Sequence, residues 1–323
     1  MPRLELRAFE AADLDAAASL LAGRHTVHRG CEPLLDPRYE NPAAAATEIA
    51  ALWDDAHVSG AFASDGGRAA GFLLGVPSAN AVWGPNIWVT AAGAAVSTPE
   101  TIRDLYGFAA QRWADEGRTA HYAMVPATDA GLIDAWFRLG FGQQHVHAVR
   151  ETPVVAPAAA IREIAIRRAD VDDIPVLAAL DLLLPEHQGR SPVFSSLSVP
   201  TLAEAVTEWE ESIEDQAFTT WVAERDGVVV GSAVGCDVRE SGGTVGLIRP
   251  AHAADLGFAA VVPNARGAGV GRALGEAFLA WAAQAGFPAV ATDWRATNLL
   301  SSRAWPRLGF RPSFLRLHRI IGY

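Results

Sequence analysis

Lysine is missing from this chain: all 26 of its basic residues are arginines. That removes the Walker type of phosphate loop, whose lysine reaches the β and γ phosphates. Cysteine is almost missing. Cys31 and Cys236 are the only two in 323 residues, which excludes a disulfide framework and fits a reduced, cytoplasmic protein. Neither has a histidine at nucleophile spacing. No apolar run reaches the roughly 20 residues that cross a bilayer, so no membrane partner is expected. The start, Met1-Pro2-Arg3-Leu4-Glu5, is charged too early for a secretory signal. An excess of positive charge is lacking as well. The formal net charge is −11, with no arginine-rich block. Nucleic-acid affinity rests on neutralising phosphates, so DNA and RNA are not expected partners. Metal-ligand clusters are also wanting: His25 and His28 stand three apart with no third ligand, and no metal is expected.

What the chain does have is length, apolar content and internal repetition. Half of its residues are hydrophobic, enough for two ordinary cores. Leu6-Arg7 with Asp13-Leu14 recurs as Ile166-Arg167 with Asp173-Ile174. Gly67, Gly71 and Gly75 recur as Gly227, Gly231 and Gly235, each set marking a hairpin. Ala127-Thr128-Asp129 followed by Ala135-Trp136-Phe137-Arg138-Leu139-Gly140-Phe141 recurs as Ala296-Thr297-Asn298 followed by Ala304-Trp305-Pro306-Arg307-Leu308-Gly309-Phe310. Self-similarity of this kind marks two copies of one fold. The expected domains are 1–152 and 160–323, joined near Thr152–Ala158, where prolines and alanines suit an extended link. Alternating and helical periodicities give each copy the order strand, helices, hairpin, long strand, main helix, strand, short helix, strand. In the second copy the main strand is placed at Ala254–Val262, the main helix at Val270–Ala285 and the last strand at Ser313–Ile320.

The strongest local signal is Val261-Val262-Pro263-Asn264-Ala265-Arg266-Gly267-Ala268-Gly269-Val270-Gly271-Arg272. A buried strand runs into a glycine turn and then a helix N-terminus, whose unpaired N–H groups and dipole attract anions. Glycines bring the backbone close to the ligand, and Arg266 and Arg272 add positive charge; a pyrophosphate suits such a turn. The glycine spacing differs from the G-x-G-x-x-G of dinucleotide folds. Arg-x-x-Gly-x-Gly at Arg266, Gly269 and Gly271 instead resembles motif A of the GCN5-related N-acetyltransferases (GNATs). The downstream stretch from Asn298 to Phe310 resembles motif B of the same family. The resemblance implies an α/β (α+β) architecture of two tandem GNAT folds, each a mixed, mostly antiparallel twisted sheet flanked by helices.

In the first copy the segment matching the phosphate turn, Val96–Arg103, has no glycine and carries Glu100, and Asp129 stands where Asn298 stands in the second. The first copy therefore reads as degenerate, a scaffold or a wall for the acceptor pocket. For the second, the resemblance implies acetyl-CoA as co-substrate, held by the backbone of Ala259, Ala260 and Val261, by residues 266–272 (Arg266, Gly267, Ala268, Gly269, Val270, Gly271, Arg272), and by Asn298 and Ser301. It implies N-acetyl transfer to a primary amine of a small molecule, by direct attack in a ternary complex.

Asp255, eleven residues before Arg266, matches the catalytic glutamate of histone-acetylating members; a carboxylate in an apolar cleft has a raised pKa and takes a proton. His252 is the rival base. The family's tyrosine in motif B is Trp305 here, and an indole does not release a proton near neutral pH. That leaves Ser301, Ser302 or water for the leaving thiolate, with Ser302 the catalytic candidate, or the thiolate takes the proton of the attacking amine. Arg295 reads either as a solvated strand end or as a contact for an anionic acceptor group. The polar segment Leu184–Phe194, with His187, suits a substrate loop. Two alternatives stand beside the enzyme: a non-catalytic acyl-CoA-binding regulator, and, more narrowly, an enzyme similar to mycothiol synthase, which also has two such domains. The assembly is a monomer or a homodimer.

Overall fold

A computed structural model describes residues 4–80, 83–154, 163–195 and 199–322. The first three residues of the chain and most of the expected link (155–158) lie outside the described residues. The first copy contributes β1 (Glu5–Ala8), α1 (Leu14–Cys31), α2 (Pro42–Trp53), β2 (Ser59–Asp65), β3 (Arg68–Asn80), β4 (Gly84–Val89), β5 (Ala94–Val96), α3 (Thr101–Asp115), β6 (Ala120–Pro126), α4 (Ala130–Phe137) and β7 (Gly142–Glu151). The second contributes β8 (Ala165–Arg168), α5 (Ile174–Gln188), α6 (Leu202–Ser212), β9 (Phe218–Arg225), β10 (Val228–Asp237), β11 (Ala253–Val261), α7 (Val270–Gln284), β12 (Ala289–Arg295), α8 (Ser301–Arg307) and β13 (Arg311–Ile320). Among the described residues no helix is long and apolar enough to cross a membrane.

The repeat seen in the sequence has physical content. Arg7 grips Asp13 with two bonds of 2.6 and 2.5 Å, and Arg167 grips Asp173 with two of 2.6 and 2.8 Å. In both copies this fork ties the first strand to the entry of the first long helix, where Asp13 and Asp173 are buried. Such bidentate pairs are strong and directional. Gly67 and Gly227 turn their hairpins at φ +79° and +75°, which a side chain resists. The other repeated glycines make room for the main helix. A Cβ on Gly75 would lie 2.5 Å from Trp113 of α3, and one on Gly235 2.7 Å from Phe278 of α7.

α7 shows why these segments are helical. Gly269 starts it in the left-handed region at φ +91° and Gly286 lies just past its end at φ +80°. Val270, Leu274 and Phe278 recur at every fourth place and are buried, so one stripe faces β9, β10 and β11. Each large side chain contributes roughly 2–3 kcal/mol of burial. Gly235→Ala is expected to push on the Phe278 ring and cost about 1–3 kcal/mol, read as a lower urea midpoint with an unchanged slope.

The chain forms two compact units that do not follow its linear halves. The first unit is 1–146, 246–251 and 312–323; the second is 147–245 and 252–311. The last strand thus departs from the sequence reading. β13 pairs antiparallel with β6 of the first copy, from Phe314↔Pro126 to Ile320↔Ala120. Phe314 explains it: fully buried in the first unit's core with Leu21, Phe72, Leu247 and Ile248, it meets His28 edge-on at 4.7 Å. In the second unit the later half of β7 takes the neighbouring place beside β12, where Thr152 N–H donates to Pro288 O at 3.0 Å.

Candidate active site

The second unit's site begins as a fork in its sheet. β11 runs parallel to β12 only over Ala253–Leu256 opposite Ala289–Thr292, while its antiparallel ladder with β10 continues to Val261↔Gly231. The cause is a bulge: Phe258 pairs with Val234 and Leu256 with Gly235, leaving Gly257 as an extra residue. A bulge bends its strand and breaks pairing locally. At the crotch, Thr292 Oγ1 donates to Leu256 O at 2.9 Å. Beyond it, the 257–261 edge of β11 presents backbone donors and acceptors to a cleft rather than to a strand.

The cleft has a volume of about 560 Å³ and is mostly apolar, with Ala259, Ala260 and Val261 on one wall. β11 leads through a short turn at Pro263–Ala265 to Gly267 at φ +82° and Gly269 at φ +91°. Ala273 N–H makes the first bond back to Gly269 O, at 2.9 Å. The N–H groups of Val270, Gly271 and Arg272 precede it, at the positive end of α7 and on the cleft. Arg266 bends back to donate from Nε to Val261 O at 3.1 Å, which keeps its charge at the turn. Arg272 is paired with Glu276 at 2.7 Å. Ala268 is not on the lining, while Gly267, Gly269, Val270 and Gly271 are.

α8 and α5 also line the cleft. Asn298 is buried, and its Oδ1 accepts Leu300 N–H at 3.1 Å and Ser301 N–H at 3.4 Å, shaping the entry of α8. His187 Nε2 lies 3.2 Å from the same oxygen. Ser301 lines the cleft and Ser302 does not. Trp305 also borders it but is 9% exposed, set edge-on to Phe310 at 6.2 Å.

Asp255 sits back along β11, on its doubly paired half, and does not line the cleft. It is 3% exposed. Burial pushes its pKa up to about 7; the charge of Asp293 pushes the same way, and hydrogen bonds from Ser241 and Thr244 pull against them. Thr244 Oγ1 donates to Asp255 Oδ1 at 3.3 Å. These two hydroxyls escaped sequence reading because the Ser241-Gly242-Gly243-Thr244 loop has no periodicity to read. Cys236 faces Asp255 across the ladder, its thiol pushed up to about 12 by burial; both cysteines are free. His252 is exposed against Phe287 at 5.2 Å. Arg295 is 8% exposed, which corrects the reading of a solvated strand end: the last turn of β12 is covered.

The first unit has the corresponding fork with different contents. β4 runs parallel to β6 from Asn86↔Ala120 to Val89↔Ala123, and the chain then leaves to form β5 against β3. Arg24, on α1, reaches into that gap and donates to the carbonyls of Ala91, at 2.5 Å, and Ala94. The shared Arg–Asp fork aligns Arg24 with Leu184, a cleft residue of the second unit. Burial lowers the Arg24 pKa to about 10 and Asp129 opposes that shift, so the guanidinium stays charged at neutral pH. Asp129 caps α4 by accepting Leu132 N–H at 2.8 Å. Glu100, at the start of α3, is ion-paired with Arg103 and Arg138 at 2.6 and 2.8 Å. Where the second unit has an open slot and a cationic turn, the first has its own arginine and a neutralised carboxylate.

Residues 181–310 match the profile of the Acetyltransferase (GNAT) family. No curated protein matches the chain in sequence. Among solved structures, a GCN5-related N-acetyltransferase from Sphaerobacter thermophilus is similar over 100% of this chain and 97% of its own, with TM-score 0.59 and 15% identity. A tandem GNAT protein from the clavulanic acid biosynthesis pathway is similar over 99% of both chains, with TM-score 0.51 and 16% identity. The glucosamine N-acetyltransferase region of a fungal multi-domain β-N-acetylglucosaminidase is similar over 98% of this chain and 38% of that one, with TM-score 0.56 and 15% identity. At these identities the structures establish the fold along the whole chain, which has the GNAT fold in tandem, and the acetyltransferase profile matches residues 181–310, in the unit with the open fork.

Proposed function

We propose that the second copy, 160–323, is an acetyl-CoA-dependent N-acetyltransferase acting on a primary amine of a small molecule. The forked β11 carries the reading. An extended amide-containing arm fits the bare backbone edge from Gly257 to Val261 in the way a strand would. A pyrophosphate fits the N–H groups of Val270, Gly271 and Arg272 beside Arg266. The donor set is mainly backbone and the walls are alanine and leucine, as a long, flexible and partly apolar ligand requires. When bound, acetyl-CoA supplies an activated thioester.

The chain's own residues do the rest. The bare edge fixes the donor's direction, α5 and α8 screen the site from bulk solvent, and Asp255, set back from the cleft, takes the proton released by the attacking amine through a water. Burial pushes the Asp255 carboxyl up to about 7, so its basic form grows as pH rises through neutrality. Turnover per bound donor is accordingly expected to climb as pH rises from 6 through 7. The first copy serves as scaffold and takes no coenzyme, since Arg24 fills its fork.

One observation favours a second reading, a non-catalytic acyl-CoA-binding protein: Trp305 is packed away where the family has a tyrosine. Thiol release from acetyl-CoA across a panel of primary amines separates the two readings, because a binding protein releases none. Arg266→Ala is expected to weaken coenzyme A binding by about 1.5–3 kcal/mol, roughly 10- to 150-fold, in calorimetric titration. Unchanged affinity would remove the turn from the binding site.

A further inference from the structure

Resting on the reading of the cleft as an acyl-CoA site, we infer that His187 is the proton donor to the leaving thiolate, in the role left vacant by Trp305. The first ground is chemical. The titratable side chains on the cleft wall are His187, Arg266, Arg272, Arg307 and Glu276. Arginines stay protonated throughout the working range, and Glu276 is bound to Arg272 at 2.7 Å. Ser301 has only a hydroxyl to offer. Imidazole is the side chain that exchanges a proton near neutrality, and among the described residues His187 is the only one on this wall.

The second ground is geometric. Asn298 Oδ1 already accepts two backbone N–H groups, and a carbonyl oxygen only accepts, so His187 Nε2, 3.2 Å away, carries the hydrogen between them. Asn298 therefore anchors the ring as the carboxylate or amide of a hydrolytic triad anchors its histidine, and leaves Nδ1 for proton exchange. α5 brings the ring to the cleft. Asp181 and Glu186, the other acids of this part of α5, are placed elsewhere: Asp181 accepts Trp209 Nε1–H at 2.6 Å, and Glu186 is exposed.

The step balances. The amine nitrogen bonds to the acetyl carbon, the carbon–sulfur bond breaks, and its electron pair stays on sulfur. Sulfur takes a proton from Nδ1 of the His187 imidazolium, and the amine's surplus proton goes to Asp255. The products are an amide and free thiol, and solvent returns the proton from Asp255 to His187.

The test uses the full chain with coenzyme A itself, so it needs no knowledge of the acceptor. Calorimetry measures coenzyme A affinity, and ultraviolet difference absorbance follows ionisation of the bound thiol with pH. Against wild type, His187→Gln, whose amide keeps a donor for Asn298, is expected to bind coenzyme A within about threefold. It is expected to raise the midpoint of the bound thiol's ionisation by about one pH unit or more. Where an amine substrate is in hand, kcat falls roughly 100-fold and added imidazole restores part of it to His187→Ala. Identical thiol titrations with intact binding overturn the inference and leave the acyl-CoA reading standing. Failure of the unaltered chain to bind coenzyme A overturns both. Should the Gln variant melt early, His187→Asn gives the same comparison.

Discussion

Asp255→Asn is expected to raise the melting temperature at pH 8 while removing most of the turnover. The carboxyl titrates near pH 7 in the folded chain, against a reference value of 3.8, because burial penalises its charge. A raised folded pKa means that the folded state holds the proton more tightly than the unfolded one. Stability is therefore fully present below about pH 4 and declines as pH climbs to about 7. The three-unit gap corresponds to a cost on the order of 4 kcal/mol once both states are ionised. Asparagine fits the same space, still accepts from Thr244 and never carries that charge. The variant's advantage should thus be absent near pH 4, grow through pH 7 and reach several degrees at pH 8 by calorimetric melting. Turnover should fall about 100-fold or more with coenzyme A affinity intact. A variant that melts like wild type at pH 8 would mean that the Asp255 carboxyl is not destabilised in the fold. A variant that turns over normally would take the base role from it.

Arg24→Leu, which writes the second copy's Leu184 into the first, is the other large effect. The guanidinium satisfies the carbonyls of Ala91 and Ala94 and balances Asp129. Leucine reaches neither carbonyl, and each buried group left without a partner costs about 1–3 kcal/mol. A loss of about 3 kcal/mol or more is expected in urea unfolding. Coenzyme A stoichiometry should remain one per chain, because Val96–Arg103 still lacks the glycine turn. A second binding site appearing in this variant would show Arg24 to be the sole barrier in the first fork.

The sequence carried the local chemistry well. Gly267 and Gly269 announced a glycine turn, and Arg7 with Asp13, recurring as Arg167 with Asp173, announced a repeat, though not the clamp each pair forms. Asn298 was legible from its place before α8. What escaped was long-range. The closing strands β7 and β13 have similar alternation, so the pattern identifies each as a strand without saying which sheet edge it joins. Arg24 read as one more polar residue on α1, since its acceptors lie about 70 positions away. His187 was legible as a polar loop residue and not as a partner of Asn298, 111 positions later. Thr244 and Ser241 gave no signal because loops have no period.

The pairing of β13 with β6 also fixes an order of events on the ribosome. β6 is complete at Pro126, but the strand that covers its edge ends at Ile320. At 5–20 residues per second, the first unit waits roughly 10 to 40 seconds for its last strand. Its core waits for Leu247, Ile248 and Phe314 as well. The half of the chain that is made first is therefore the half that finishes last, and for that interval the β6 edge is a bare template for other strands. Nascent chains stalled or cut before Pro312 should be the aggregating species, and chaperone capture of this protein should concentrate on its N-terminal half.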